Sequence, residues 1–337
     1  MDHLRISDRN PTSININHTT IGNFPSVQWI QFYVGLAGLI ANFTLLLLIS
    51  TSRKGLKDKS YVFINNIALS DFLICFLMCL MHLPFKGSVN ISISLGGVIC
   101  KILFATFHLS FNTSAYSLTF ISMYRLKIVI HPLSYRVKTT LYRHTKIVAV
   151  AIWIFSLVIA IPNIFLSEVV TLGLFCDVGY PYGQDFNQIY YTIVFTISSI
   201  VPILVMSINY IRIAKALSCS VFSRPSFARN TTVNSKRTYR YRSKNVVEFL
   251  ICTTGVYMFL SLPFLIGFLI MSLLGLSFHA IYSNNDGFRI YMIVASSAFI
   301  SVTIFNPILF LFCDRNIRLQ ICKKRNHLYY FILSHIR

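Results

Sequence analysis

One carboxylate, Asp71, stands in a stretch, Ser60–Phe85, that carries no other charge. An acid so deep in apolar sequence is costly to keep ionised and needs partners. These are either hydrogen-bond donors around a protonated acid or a cation beside an ionised one. Eight cysteines offer thiol chemistry, and which kind depends on where each lies. Cys100 and Arg125 are 25 residues apart, about 37 Å of helix at 1.5 Å per residue. A thiol and a permanent cation would therefore stand at opposite ends of one long apolar segment. His82 and His108 are isolated in apolar sequence and read as packing residues with no chemical role. No His/Cys spacing suits a metal, and neither a glycine-rich phosphate loop nor a nucleophile elbow occurs, so the chain offers little to an enzyme. A transporter or channel would need several polar groups along a midplane pathway, and only Asp71 lies deep.

The elements that position these groups must be helices in lipid. Of the 337 residues, 55% are hydrophobic and only 12% charged, with a mean hydropathy of +0.65. That is about half the charge of a soluble domain, too little to coat a water-exposed surface. Val27–Ser52, Ile102–Tyr124, Ile147–Ser167, Phe186–Ile211 and Ile290–Cys313 hold no Asp, Glu, Lys or Arg, and Phe249–Asn285 is charge-free as well. With Ser60–Phe85 these make seven runs, each longer than the roughly 20 residues that cross a bilayer. None alternates with period two, which argues against a barrel. The sequence predicts an all-α membrane protein, a seven-transmembrane helix bundle over 27–313. Its helices fall near 27–52, 60–85, 99–130, 145–167, 186–217, 244–274 and 288–313. An outside tail spans 1–26, and a short cytoplasmic tail with a short amphipathic helix spans 314–337. The longest polar connection, 216–244, reads as a solvated basic loop. Pro162, Pro202, Pro263 and Pro307 are expected to bend their helices.

The formal charge of +20 suggests nucleic acid until the charges are placed. With the N-terminus outside, 25 of the 30 Lys and Arg fall on the cytoplasmic side, leaving Arg5, Arg9, Lys86, Lys101 and Arg289 outside. This is the positive-inside asymmetry, so the partner is the bilayer and not nucleic acid. No signal peptide is apparent, and the first helix would direct insertion. Asn17-His-Thr is then an outside glycosylation sequon. Cys100 and Cys176 are the only cysteines on the outer face, and a disulfide between them is the economical reading. Cys75, Cys79 and Cys252 read as small buried packing residues. Cys313 and Cys322 follow the last span on the inner side, where Cys322 is a candidate for palmitoylation.

Further landmarks lie along the spans: Gly38-Leu-Ile-Ala-Asn42, Asn66-Ile-Ala-Leu-Ser-Asp71, Arg125 with His131-Pro132-Leu133, Trp153, Cys176, Pro202 with Tyr210, Pro263, and Asn306-Pro307-Ile-Leu-Phe310. Each alone is weak. Together, in this order, they resemble the rhodopsin-like (class A) G-protein-coupled receptors over nearly the whole chain. The resemblance implies a plasma-membrane receptor that couples an extracellular ligand to heterotrimeric G proteins. It implies that Arg125 is the inner-face contact, with Tyr124, Tyr210, Pro263, Asn306, Pro307 and Phe310 as switch elements. It also implies that Ser114 and Asn306 face Asp71 in a polar pocket that in relatives binds sodium.

The chain departs from the pattern at three of these places. Tyr124 replaces the acid before the arginine, Ser261 stands where the family usually has tryptophan, and Phe310 replaces the last tyrosine. These leave open a constitutively active receptor or a weakly coupling, chemosensory receptor-like protein. The third span has Phe107 where amine receptors carry aspartate, and the seventh has Ile300 where opsins carry lysine. The second outer loop holds Glu168, Asp177 and Asp185 with Tyr180, Tyr182, Tyr190 and Tyr191, which suits a cationic peptide, with a lipid or a small chemosensory molecule as alternatives.

Overall fold

The computed structural model describes residues 25–51, 60–82, 92–130, 135–171, 175–179, 181–222, 232–275, 286–313 and 317. Asn17, Cys322, residues 131–134 and nearly all of both tails lie outside the described residues.

Seven helical spans form the bundle. Helix α1 is Pro25–Ser50, α2 Ser60–Met81, α3 Ile93–Ile130 and α4 Tyr135–Ala160. A single turn, α5 (Asn163–Leu166), leads into a hairpin of β1 (Ser167–Thr171) and β2 (Phe175–Val178). The fifth span is α6 (Gln184–Phe195), a π-helical turn at Thr196–Ile200, and α7 (Val201–Phe222). The sixth is α8 (Thr232–Leu274) and the seventh α9 (Asp286–Cys313). The bundle has a disulfide end, near Cys100, and an arginine end, near Arg125.

Several boundaries differ from the sequence expectation: α2 ends at Met81 and α4 at Ala160, short of the expected 85 and 167, while the fifth span runs on to Phe222. Helix α3 starts six residues earlier, α4 ten residues earlier, and α8 at Thr232, inside the stretch read as a basic loop. The reason is common to α4 and α8. Lys and Arg are good helix formers, so a helix continues past the hydrocarbon until a breaker intervenes. Apolarity measures only the membrane-crossing part.

The prolines act locally. Helix α4 ends at Ala160, two residues before Pro162, and the chain resumes as α5. Pro202 has no N–H, so the preceding turn of the fifth span widens into the π-turn, where Val201 N–H bonds the Thr196 carbonyl. The Tyr116 hydroxyl of α3 donates to the loosened Ile197 carbonyl at 2.7 Å.

The bundle is inverted relative to a soluble protein. Phe43, Ile154 and Phe312 are more than half exposed, whereas Asn42, Ser70, Asn112, Ser114 and Ser156 are buried. Leu45, Ile67, Leu118, Met206, Ile300 and Phe310 fill the core between them. Cys252 is exposed on the outside of α8, contrary to the packing role expected for it. A thiol is apolar enough to face hydrocarbon.

Candidate functional site

The buried acid is met by the residues that the resemblance assigned to it. Ser114 Oγ of α3 donates to Asp71 Oδ1 at 2.8 Å, and Asn306 Nδ2 of α9 donates to Oδ2 at 2.7 Å. Asp71 is 2% exposed, so its oxygens depend on these donors in place of water. Three helices are joined at one side chain. Two more links brace the seam beside it. Asn42 Nδ2 donates to the Thr303 carbonyl at 2.9 Å, and Cys75 Sγ lies 3.0 Å from Thr303 Oγ1. Gly38 makes this approach possible, because a Cβ there would run into Cys75 Sγ.

At the arginine end, Arg125 stacks over the ring of its neighbour Tyr124, 5.9 Å from the centroid. Its Nε is buried with no hydrogen-bond partner, and among the described residues Arg125 forms no ion pair. A guanidinium carries five donors, so this one retains capacity for an incoming acceptor. Nearby, Tyr210 and Thr254 share a hydrogen bond of 2.9 Å that ties α7 to α8. Asn209 of α7 donates to Ser122 of α3 at 2.9 Å. Phe310 is buried and, lacking a hydroxyl, joins the apolar core. Ser261 donates to the Tyr257 carbonyl at 2.6 Å, so the small residue at this place spends its hydroxyl within its own helix. Pro263 and Pro307 both lie inside their helices. On the arginine side of Pro263, an open apolar groove of about 350 Å³ is lined by Gly255, Val256, Phe259 and Leu260 of α8 and Phe305 of α9.

At the other end Cys100 and Cys176 form the expected disulfide, which clamps β2 to α3. The loop carboxylates do not all face outward as a peptide cradle would need. Asp177 is buried, with Oδ1 accepting the Val178 N–H at 2.7 Å. Tyr190 turns inward as well, donating to the Ile159 carbonyl and accepting from Asn163 Nδ2. Asp185 and Tyr182 remain exposed, and Tyr180 lies outside the described residues. Below the hairpin, Phe107 and His108 of α3, Phe264 and Phe268 of α8 and Phe299 of α9 come together. The sequence reads His108 as simple packing, and nothing in its neighbourhood along the chain signals otherwise.

The comparisons with known proteins agree with this geometry. The sequence model of the 7 transmembrane receptor (rhodopsin family) matches residues 41–310. Human prokineticin receptor 2 is 25% identical over 68% of this chain and 61% of its own length. Human prokineticin receptor 1 is 27% identical over 63% of the chain and 53% of its own length. The bovine urotensin-2 receptor is 28% identical over 52% and 44%. The chain thus aligns with about three-fifths or less of the length of these relatives. The family match runs from the second half of α1 to near the end of α9 and takes in the acid, the arginine and the disulfide. The chain is therefore a multi-pass plasma-membrane member of the rhodopsin family of seven-transmembrane receptors, which are not enzymes.

Proposed function

We propose that this chain is a receptor that carries an extracellular peptide signal to a heterotrimeric G protein. The observation that carries the reading is the pairing of a buried junction with an open cation. Asp71 ties α2, α3 and α9 through two hydrogen bonds, while Arg125 at the end of the same α3 has unused donors and no counter-ion among the described residues. A change in how these helices pack would move Arg125 relative to α7 and α8, where a partner's acceptor groups can reach it. Relatives named for prokineticin and urotensin-2 support a peptide over a lipid or chemosensory molecule. The charge asymmetry supports an outside N-terminus, with glycan at Asn17 and the disulfide end facing out.

The test is second-messenger output against a peptide library that includes prokineticin and urotensin-2. Arg125→Ala is expected to abolish the response while surface expression and ligand binding persist. Equal damage from Lys127→Ala, with none from Arg125→Ala, would mean that the arginine is only a positive-inside anchor.

The Asp71 junction also suits a sodium ion. Its donors are hard oxygens, two from Asp71 and one from Ser114, and the fully buried Ser110 Oγ, one turn along the same helix, has no partner. Asp71 and Ser114 would hold the ion, which supplies a positive charge opposite the carboxylate. Sodium, titrated against choline at constant ionic strength, is expected to change agonist affinity in the wild type but not in Asp71→Asn. An identical response to both salts in the wild type would remove the ion from the reading.

A further inference from the structure

We infer that the groove between α8 and α9 seats an acyl chain of an anionic phospholipid from the leaflet at the arginine end, which ties the packing of these two helices to the lipid around them.

Gly255 is where the case begins. A glycine inside a helix costs stability unless its missing side chain is put to use. Three other glycines within the spans use it for close packing. Gly35 and Gly38 of α1 admit the thiols of Cys79 and Cys75, and Gly267 of α8 admits Met292 and Tyr291. Among the described residues Gly255 admits no neighbour, and a Cβ there would meet open space. Gly97 is open as well, but it is the fifth residue of α3, whereas Gly255 lies well inside its span. The space at Gly255 is therefore left for something outside the protein.

The groove says what kind of thing fits. Its walls are Val256, Phe259 and Leu260 of α8 and Phe305 of α9, with no polar side chain among them. Phe259 is 79% and Phe305 43% exposed on the outside of the bundle, so the groove opens toward hydrocarbon. Five lining residues are too few for a second copy of the chain, because stable protein interfaces take roughly 20–30 residues a side. A slender apolar chain suits them.

Depth and charge select the lipid that carries the chain. Helix α8 runs from Thr232 to Leu274, and its internal proline, Pro263, lies beyond the groove. Lys244 and Arg237 precede Gly255 by 11 and 18 residues, close to three and five turns at about 3.6 residues per turn. Both positions thus fall on the side of α8 that carries Gly255. Lys244 is about 16 Å away along the axis, near half of the roughly 30 Å of hydrocarbon in a bilayer. A chain whose far end occupies the groove would have its headgroup at the level of Lys244. Glu248 shares that side, but Lys236–Lys244 holds five cations and no acid, so the positive charge prevails. Such a stretch favours an anionic headgroup over a zwitterionic one, and a sterol has no charge to offer it.

The test is native mass spectrometry of the purified full-length receptor released from detergent micelles. The probes are dioleoyl-phosphatidylserine, dioleoyl-phosphatidylcholine, cholesterol, and dihexanoyl-phosphatidylserine, whose chains are too short to reach the groove. Neither peptide nor G protein is present, so the outcome does not depend on the signalling reading above. Dioleoyl-phosphatidylserine is expected to fill one saturable site at least fivefold more tightly than the other three. Gly255→Leu fills the groove from within and is expected to weaken that site at least fivefold, with a melting temperature no lower than in the wild type. Should Gly255→Leu not fold, Phe305→Ala removes the α9 wall and is expected to weaken it by as much; unchanged affinity there counts against the inference. The double change Arg237→Gln, Lys244→Gln is expected to bring the two dioleoyl lipids within twofold of each other. Unchanged affinity in Gly255→Leu, or equal affinity for the long- and short-chain serine lipids, would mean binding by the headgroup alone and overturn the inference. Equal affinity for the two dioleoyl lipids in the wild type, or tighter binding of cholesterol, would overturn it as well.

Discussion

The two ends of α8 are held in opposite ways. Toward the disulfide end, α6 and α9 are both fastened to it by hydrogen bonds. Tyr291 of α9 donates its hydroxyl to the Pro263 carbonyl at 2.6 Å. Gly267 lets Tyr291 and Met292 come so near that a Cβ there would collide with both. Gln188 and Gln184 of α6 donate to the carbonyls of Leu273 and Leu274 at 2.9 and 3.3 Å, carbonyls that the end of a helix leaves unpaired. Gly275, at φ 61°, then turns the chain away in the left-handed conformation common after a helix end. On the other side of Pro263, over residues 254–260, the described side-chain tie runs to α7, the Tyr210–Thr254 bond, and an open apolar groove beside Phe259 lies between α8 and α9. Among the described residues the same helix is thus a post fastened to α6 and α9 on one side of Pro263 and, over 254–260, an arm tied by hydrogen bond to α7 on the other. The contrast teaches where motion is cheap: the arm can shift without breaking the ties of the post.

The contrast breaks most severely if the disulfide end is released. Cys100→Ser frees the hairpin from α3 and opens a loop that joins positions 76 residues apart. Such closures are typically worth about 2–4 kcal/mol. Surface expression is expected to fall sharply, with a lower melting temperature for whatever protein is recovered. Peptide mapping of surface-expressed wild type under non-reducing conditions should show the linked pair, and free thiols at both positions would undo the comparison.

At the loose end the informative change is Tyr124→Asp. The wild type pairs Arg125 with a ring and, among the described residues, no acid. A carboxylate at this place adds a charge-assisted contact of the kind worth roughly 1.5–3 kcal/mol when partly buried. About 1.4 kcal/mol of added restraint shifts a two-state equilibrium tenfold. Ligand-independent signalling is therefore expected in the wild type and reduced in Tyr124→Asp, compared by basal second messenger at matched expression. The family resemblance implies the opposite influence for Ser261 and Phe310, which lack the tryptophan ring and the hydroxyl usual at these places. A silent wild type would mean that a group other than Tyr124 restrains Arg125.

How much of the fold and the site was legible in the sequence depends on the origin of each feature. The spans follow from charge-free length, and the disulfide from two cysteines sharing one face of the membrane. The Asp71–Ser114–Asn306 junction came through the family landmarks, since an isolated intramembrane acid signals that partners exist without naming them. The aromatic group below the hairpin could not be read. Its members lie at 107, 108, 264, 268 and 299, and each helix is apolar around its whole circumference, so periodicity does not say which face turns inward. The same uniformity hid the exposure of Cys252. Asp177 misled for a different reason: an acidic residue in a loop reads as displayed, but its carboxylate is used to hold the hairpin's own backbone. The Gln184 and Gln188 ties depend on chain separations of about ninety residues, which no local pattern reports.

The mildest perturbation of the fixed post is Tyr291→Phe. It deletes one hydroxyl, keeps the ring that packs on Phe288 at 5.7 Å and leaves the close approach at Gly267 intact. The Pro263 carbonyl would normally accept from the N–H four residues on, that of Gly267, so the hydroxyl is a second donor and its loss leaves no carbonyl stranded. The change should therefore be small, about 0.6 kcal/mol by analogy with hydrogen bonds measured between helices in membranes. A melting temperature lowered by only a degree or two is the expected result, with the effect on signalling larger than that on stability. The reason is positional. The bond anchors α8 at its internal proline, so its loss lets part of the displacement at the arginine end dissipate into the post. Agonist potency is expected to fall by a few-fold while Gln188→Ala, at the far end of the post, lowers potency less. If Gln188→Ala does the greater damage, the pivot lies nearer to Leu274 than to Pro263, and the division of α8 at the proline is misplaced.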